Sequence, residues 1–381
     1  MQIVTLQQPP RIVFGPGCAP QCAAWLAQRG VRRAWLVTST SVLPVLDGVR
    51  AALSAAGVHF VLAAPVDTEP TGELFAGILA RARAEGIDGV LGIGGGSAID
   101  VAKLVAALLN SQQTVAEVYG LNRLLRRDLP LVCLPTTAGT GAEVSPNAIL
   151  LDTADALKKG VVSPFLVPDA AFIDPLLTLS VPPAVTAATG LDALTHCIEA
   201  YANKFAHPIT DVHALQGIRL IATHLLRAIR NGADEEARAA LCLGSLYGGL
   251  CLGPVNTAAV HALAYPLGGR YNIAHGVSNA LLLPHVMRFN FTAAPERFAE
   301  IARALGCPRE ASVHAQAEAG VAWLTQFSRD CGVPQTLSTL NIPSAAIPSL
   351  ARSAMQVTRL LQNNLRPLAE RDAIGIYQAA Y

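Results

Sequence analysis

The stretch Gly89-Val-Leu-Gly-Ile-Gly-Gly-Gly-Ser-Ala-Ile-Asp-Val-Ala-Lys103 decides how the first half of the chain is read. Gly89 to Ile93 is an apolar run of strand length, and the residues after the glycines have helical texture. Three consecutive glycines, Gly94, Gly95 and Gly96, join the two. Glycines let a backbone approach a phosphate closely, and the free N–H groups and positive end of the following helix favour an anion. Ser97 can cap that helix and donate to a phosphate. An ordinary glycine turn is the alternative, but three glycines followed by serine at a strand-to-helix junction favour phosphate binding. The order is not Gly-x-Gly-x-x-Gly, because Ile99 stands where the last glycine would fall, so the common Rossmann fingerprint is not met.

Outward from this junction, strands are expected at Ala34–Thr38, Val58–Ala63 and Leu129–Leu134. Helices are expected from about Val45 to Ala56 and from Gly72 to Glu85. A short apolar run, Arg11–Gly15, precedes turn chemistry at Gly15-Pro-Gly17 and a helical pattern through Leu26. Strand and helix alternate at the spacing of βαβ units, which predicts an α/β, doubly wound parallel sheet. Ala148–Leu151 and Ala171–Ile173 are candidates to extend it. After Asp174-Pro175 strand signals disappear and Ala/Leu helical periodicity takes over at 183–204, 209–230, 234–251, 255–267, 296–305 and 312–330. A boundary near Ser180-Val-Pro-Pro183 divides an α/β domain (1–180) from an all-α domain (181–381).

The totals agree with a well-buried globular protein. Of 381 residues, 52% are hydrophobic and 14% charged, which excludes a disordered chain. A formal net charge of +1 gives no reason to expect nucleic acid or an anionic membrane surface. Arg123, Arg126 and Arg127 are the densest basic group and suit a solvated face. Ala239 to Gly269 lacks Asp, Glu, Lys and Arg over a length that could span a bilayer. Gly253-Pro-Val-Asn-Thr257 interrupts it and His261 lies inside it, so a buried helix pair is expected instead. The eight cysteines are scattered among apolar neighbours and read as reduced thiols of a cytoplasmic protein. No basic-then-apolar leader precedes Pro9-Pro10.

A second polar loop, Pro135-Thr-Thr-Ala-Gly-Thr-Gly-Ala-Glu-Val144, follows the strand at 129–134. Its hydroxyls and glycines suit a ribose or phosphate, and two such loops at one sheet edge are what a dinucleotide needs.

In the second half, Asp192 and His196 stand one helical turn apart on one face. His261 and His275 lie in a stretch with few other ionisable groups. A capping aspartate and satisfied core histidines would explain any one of these. One carboxylate and three imidazoles in charge-poor surroundings point to a divalent transition metal with a position left open for a substrate oxygen. His207, His213, His224, His285 and His314 lack such companions.

Gly94–Lys103, Pro135–Glu143, Ala187-Ala-Thr-Gly-Leu-Asp-Ala-Leu-Thr-His196 and His261 with His275-Gly276 resemble, in order, the signature stretches of the iron-containing (group III) alcohol dehydrogenase family. The resemblance runs from about Ile12 to the C-terminus. It implies an NAD(P)-binding α/β domain and a helical metal-binding domain, a dehydroquinate synthase-like architecture with the active site in the cleft between them. It makes Asp192, His196, His261 and His275 the metal ligands, for Fe(II) first and Zn(II) as the alternative. It puts Gly95, Gly96 and Ser97 on the pyrophosphate loop, with Asp100 of the same motif. Thr136, Thr137 and Thr140 fall on the second cofactor loop, and Lys159 near the cofactor ribose. A homodimer or larger homo-oligomer is expected.

Two positions depart from the family pattern. Many members carry a histidine four residues after the third ligand, used in proton relay. Tyr265 stands there and becomes the candidate catalytic residue, although a phenol with an ordinary pKa near 10 suits neutral pH less well. Many NAD-preferring members carry an aspartate after the strand at 34–38. This chain has Thr38-Ser39-Thr40-Ser41, whose hydroxyls, Ser39 among them, can receive a 2′-phosphate, so dual or NADP-leaning use is expected.

The expected reaction is reversible hydride transfer between NAD or NADP and a small alcohol or aldehyde. A metal-independent reductase of the maleylacetate reductase type is the nearest rival, and the complete ligand set argues against it. A cyclising lyase like the dehydroquinate synthases would need more Lys and Arg for a phosphorylated substrate. A non-enzymatic nucleotide-binding protein would not need four ligand-type residues.

Overall fold

The computed structural model describes residues 3–381. They form two compact units. One is Leu6–Thr137 with Gly141–Ser180; the other is Val181–Tyr381 with Ala138–Thr140 and a short N-terminal stretch ending at Thr5.

The α/β unit runs β1 (Arg11–Phe14), α1 (Gln21–Gln28), β2 (Arg33–Val37), α2 (Asp47–Ala55), β3 (His59–Leu62), α3 (Gly72–Ala84), β4 (Gly89–Gly94) and α4 (Gly96–Leu108). It continues through α5 (Val115–Val118), β5 (Gly120–Leu121), β6 (Leu131–Pro135), β7 (Asn147–Asp152), β8 (Leu157–Val162) and β9 (Ala170–Ile173). Six strands form a sheet in the order β1-β9-β6-β4-β2-β3, with every pairing parallel. Alternate residues feed two cores. Trp35, Val37, Val90, Leu131 and Cys133 pack with α3 and α4 residues, while Ala34, Leu36, Leu91, Ile93, Val132 and Leu134 pack with α1 and α2 residues. Burial on both faces explains why these strands read as continuous apolar runs.

This arrangement fixes a switch point. The connection leaving β2 carries α2 to one face, whereas the one leaving β4 carries α4 to the other, and β2 and β4 are neighbours. The crevice outside the carboxyl ends of such a pair is where open α/β sheets receive ligands. Glycine permits the close packing beneath it: a Cβ on Gly92 or Gly94 would lie 2.8 Å from Ala102 or Ala98 of α4.

One sheet expectation is corrected. Ala171–Ile173 belongs to β9 and joins the sheet, but Ala148–Leu151 lies in β7, which pairs antiparallel with β8 in a separate three-stranded sheet, β5-β8-β7. The four residues between β7 and β8 turn the chain back on itself, with Ala156 at φ 48°, so β7 meets β8 as a hairpin. Such local pairing is invisible to a reading based on βαβ spacing alone.

The helical unit contains α6 (Pro183–Tyr201), α7 (Pro208–Arg230), α8 (Glu235–Leu252), α9 (Ala259–Tyr271), α10 (His275–Asn290), α11 (Pro295–Ala304) and α12 (Val313–Asp330). It ends with α13 (Ile347–Ala354), α14 (Thr358–Leu361) and α15 (Glu370–Ala379). Proline opens α6, α7 and α11, where a missing N–H costs nothing, and the side chains of Asp234 and Ser312 cap α8 and α12. The charge-free run resolves into α8 and α9, and among the described residues no helix is long and apolar enough to cross a membrane. Sequence periodicity missed α10, which begins only three residues after α9 and carries Pro284 inside it.

Candidate metal centre and cofactor loops

Three helices of the helical unit bring the ligand-type residues together. α6 is buried almost throughout and presents Asp192, His196 and Glu199 at intervals of four and three residues, hence on one face. Asp192 lies deep in the helix, not at its cap. His261 enters from the first turn of α9. Asn272 then ends α9 in the left-handed conformation, φ 53°, and the turn Asn272-Ile-Ala274 delivers His275 as the first residue of α10. Gly276 lets α10 reach α6, since a Cβ there would lie 2.2 Å from the Ala188 carbonyl oxygen.

Donor atoms of Asp192, His261 and His275 lie within 4.8 Å of one another. His196 joins through its Nε2, 3.0 Å from Nε2 of His261. Asp192, His196 and His261 are buried, while the His275 side chain is 25% exposed. The other imidazole nitrogens are held from behind. His261 Nδ1–H donates to Glu199 Oε2 at 2.6 Å, and the Val260 N–H donates to Glu199 Oε1 at 2.6 Å. Nδ1 of His196 lies 3.3 Å from the carbonyl oxygen of Gly139, one of the three residues 138–140 that belong to this unit. Such contacts fix which nitrogen points inward.

Asn279, one turn after His275, sits fully buried in the middle. Its Nδ2 donates to Asp192 Oδ1 at 2.6 Å and lies 3.1 Å and 3.2 Å from Nε2 of His261 and His275. Its Oδ1 is buried without a partner.

Burial alone would raise the Asp192 carboxyl, but His196, His275 and His261 outweigh it and hold the group well below the usual carboxylate range. Burial opposes protonation of His261, yet the carboxylates of Asp192 and Glu199 push it up to about 9. Burial lowers His196, only partly offset by Asp192. One carboxylate and three imidazoles converging in a low-dielectric pocket, with a buried amide oxygen left over, suit a divalent transition ion.

Tyr265, on α9, is buried, and its ring centre lies 6.0 Å from that of His275.

In the α/β unit, the glycine stretch forms the β4–α4 junction. Gly95 is the N-cap residue and Gly96 and Ser97 open the helix, so Ser97 lies in the first turn and does not cap it; backbone N–H groups at such a helix start are suited to an anion. The expectation that Ser97 caps α4 is thereby corrected, because the helix starts at Gly96, two residues before the start that a Ser97 cap would give. Thr136 is buried at the end of β6, and its N–H donates to the Gly94 carbonyl at 3.0 Å, which ties the two loops together. Thr137 approaches Gly95, whose Cβ position is 3.5 Å from the Thr137 hydroxyl. Thr140 belongs to the other unit.

Two residues placed with the cofactor make contacts within the α/β unit. Asp100 is partly buried and accepts the Ile149 N–H at 2.9 Å; desolvation pushes its carboxyl up to about 7 despite Lys103. Lys159 stands in β8, paired with Asp152 at 2.7 Å and with Asp155. Lys103, fully buried, donates to the Ser145 and Asn147 carbonyls at 2.8 Å each and braces the second loop from below. Ser39 Oγ lies 3.1 Å from Ser41 Oγ.

Sequence reasoning missed Glu199, Asn279 and Gly139. The first was findable: Glu199 shares the face of Asp192 and His196 in a segment nearly free of charge. Asn279, one turn beyond His275, carried only that spacing as a signal. Gly139 acts through its backbone and carried none.

Comparisons with known proteins find matches along nearly the whole chain. A family model described as iron-containing alcohol dehydrogenase matches residues 9–175, and one described as the Fe-containing alcohol dehydrogenase family, C-terminal, matches residues 186–381. The chain is 39% identical to long-chain-alcohol dehydrogenase 1 of Geobacillus thermodenitrificans over 100% of this chain and 98% of that protein. It is 31% identical to the NAD-dependent methanol dehydrogenase of Bacillus methanolicus over 98% of each. A crystal structure of 1,3-propanediol oxidoreductase superposes with a TM-score of 0.96 at 34% identity, covering 100% of both chains.

Proposed function

The chain belongs to the iron-containing alcohol dehydrogenase family, and from that premise we propose that Asp192, His196, His261 and His275 hold a catalytic Fe(II), with Zn(II) the alternative. It is an alcohol dehydrogenase, an oxidoreductase acting on CH–OH groups. The proposed reaction is reversible hydride transfer between a nicotinamide dinucleotide and a small alcohol or its aldehyde. The observation that carries the ion assignment is the buried convergence of the Asp192, His261 and His275 donors within 4.8 Å, joined by His196.

A divalent ion bound there supplies Lewis acidity that lowers the proton affinity of the substrate oxygen. The protein's own groups do the rest. Glu199 keeps His261 turned so that Nε2 faces inward, and the Gly139 carbonyl does the same for His196. Asn279 fixes Asp192 by its amide. The mostly buried surroundings exclude bulk water and strengthen each electrostatic contact. Tyr265 lies beside His275, the most exposed of the ligands, and we assign it to proton relay between the substrate oxygen and solvent. In the α/β unit, the N–H groups at Gly95–Ser97 hold the pyrophosphate, and Thr136 and Thr137 position the neighbouring part of the cofactor.

Chelation followed by reconstitution tests this reading. Ion-free protein should bind nucleotide but not oxidise primary alcohols, and stoichiometric Fe(II) under nitrogen should restore turnover. Full turnover by the chelated protein would refute the role of the ion.

A further inference from the structure

The end of β2 lacks an aspartate in sequence, but the fold supplies a carboxylate from elsewhere. The β3–α3 connection folds back onto that strand end, where the Val66 N–H donates to the Thr38 carbonyl at 2.9 Å. The next residue, Asp67, then meets Thr40. Thr40 N–H donates to Asp67 Oδ1 at 2.7 Å and Thr40 Oγ1–H donates to Asp67 Oδ2 at 2.6 Å. Twenty-seven residues separate the two, so this is a built contact and not a local turn.

Three features give it meaning. β2 and β4 flank the switch point, and β4 ends in the glycine junction suited to pyrophosphate. In doubly wound folds the neighbouring strand end receives the adenosine ribose, and an acidic side chain there accepts from the 2′-hydroxyl. Second, the two bonds from Thr40 hold the Asp67 carboxyl below its ordinary range, so it is charged at neutral pH. An ionised carboxylate offers about four acceptor sites, which leaves room for a ribose hydroxyl beside the two bonds from Thr40. Third, the same strand end holds the Thr38 hydroxyl, which is 1% exposed and buried without a partner. Among the described residues, Asp67 takes part in no ion pair that would neutralise it.

We propose that Asp67 is a specificity-determining residue that accepts from the adenosine 2′-hydroxyl and repels a 2′-phosphate, making the enzyme prefer NAD. This rests on the dehydrogenase reading and reverses the NADP-leaning expectation drawn from Thr38-Ser39-Thr40-Ser41. The Thr40 hydroxyl is not free to receive a phosphate, because it donates to Asp67, and a 2′-phosphate at that strand end would meet the Asp67 charge. Specificity here comes from a repulsive element as much as an attractive one.

Binding of NADH and NADPH to the full chain, followed by nucleotide fluorescence, tests the proposal without requiring turnover. Wild type should bind NADH at least tenfold more tightly than NADPH. Asp67→Asn should tighten NADPH at least tenfold and weaken NADH, because the charge-assisted bond to the 2′-hydroxyl is lost, and Asp67→Glu should keep the wild-type order. Unfolding midpoints of both variants should match wild type, since the side chain is exposed. Equal NADPH affinity in wild type and Asp67→Asn, or a wild type that favours NADPH, overturns the proposal. If NADPH and NADH both bind as predicted but alcohols are not oxidised, the specificity role stands and the catalytic reading fails. If neither nucleotide binds, both fail.

Discussion

In the helical unit the functional groups are side chains: a carboxylate and three imidazoles from three helices, most of them buried, each steadied by a further carboxylate, carbonyl or amide. In the α/β unit they are backbone N–H groups and hydroxyls on loops after β2, β4 and β6, with the side chains nearby largely spent on holding the loops. On the proposed reading the first arrangement would hold one small, highly charged ion and must be rigid. The second would hold an extended dinucleotide, with its selectivity assigned to one exposed charge, Asp67.

This contrast predicts unequal responses to substitution. The largest is at the ion cluster. His261→Ala should lower kcat/KM for alcohol oxidation by about a thousandfold or more, the scale of losing an electrostatic stabiliser of the transition state. Circular dichroism and nucleotide binding should remain those of wild type, and loss of nucleotide binding would break the separation drawn between the two regions. Glu199→Gln keeps the shape but weakens the hold on His261. Ion affinity, measured by competition with a chromophoric chelator, should fall about 10–100-fold. Asn279→Ala leaves Asp192 without its amide donor, and a loss of about tenfold in ion affinity is expected. In the cobalt-substituted enzyme the visible bands should shift, a change that loss of stability alone would not produce.

A last effect falls on stability and not on the ion or the reaction, in the frame under the glycine and threonine loops. Burial pushes the Glu143 carboxyl up to about 7, against 4.5 for an ordinary glutamate. A folded-state value above the unfolded one contributes stability below about pH 4.5 that is lost as pH rises through 7. Wild type should therefore lose stability between pH 5 and pH 8, and Glu143→Gln should lose about 2–3 kcal/mol less across that window in urea titrations. Parallel pH dependence of the two proteins would show that Glu143 is ionised throughout.

The same contrast explains what was legible in the sequence. Asp192, His196, His261 and His275 announce themselves because ligand-type residues are rare in charge-poor helices, and their residue types alone state the chemistry. The strand-to-helix junction after β4 was legible because three consecutive glycines punctuate an apolar run, and a Cβ at Gly94 would lie 2.8 Å from Ala98. Asp67 was not legible at all. It lies in a loop after a different strand, and only the register of β2 and β3 and the Val66–Thr38 hydrogen bond bring it to Thr40. The surroundings of Lys159 were equally hidden, since its pairing with Asp152 and Asp155 depends on a hairpin that strand spacing did not reveal. Long-range placement decides both cases, and local pattern carries no signal for it.

The most direct test of the account is the metal content of protein purified under nitrogen, measured by mass spectrometry alongside Asp192→Ala purified in parallel. The account predicts about one divalent transition ion per wild-type chain, and turnover that scales with it, and near-zero content in the variant. Wild-type protein that oxidises alcohols at full rate without a stoichiometric ion, or a variant that retains one, would contradict it.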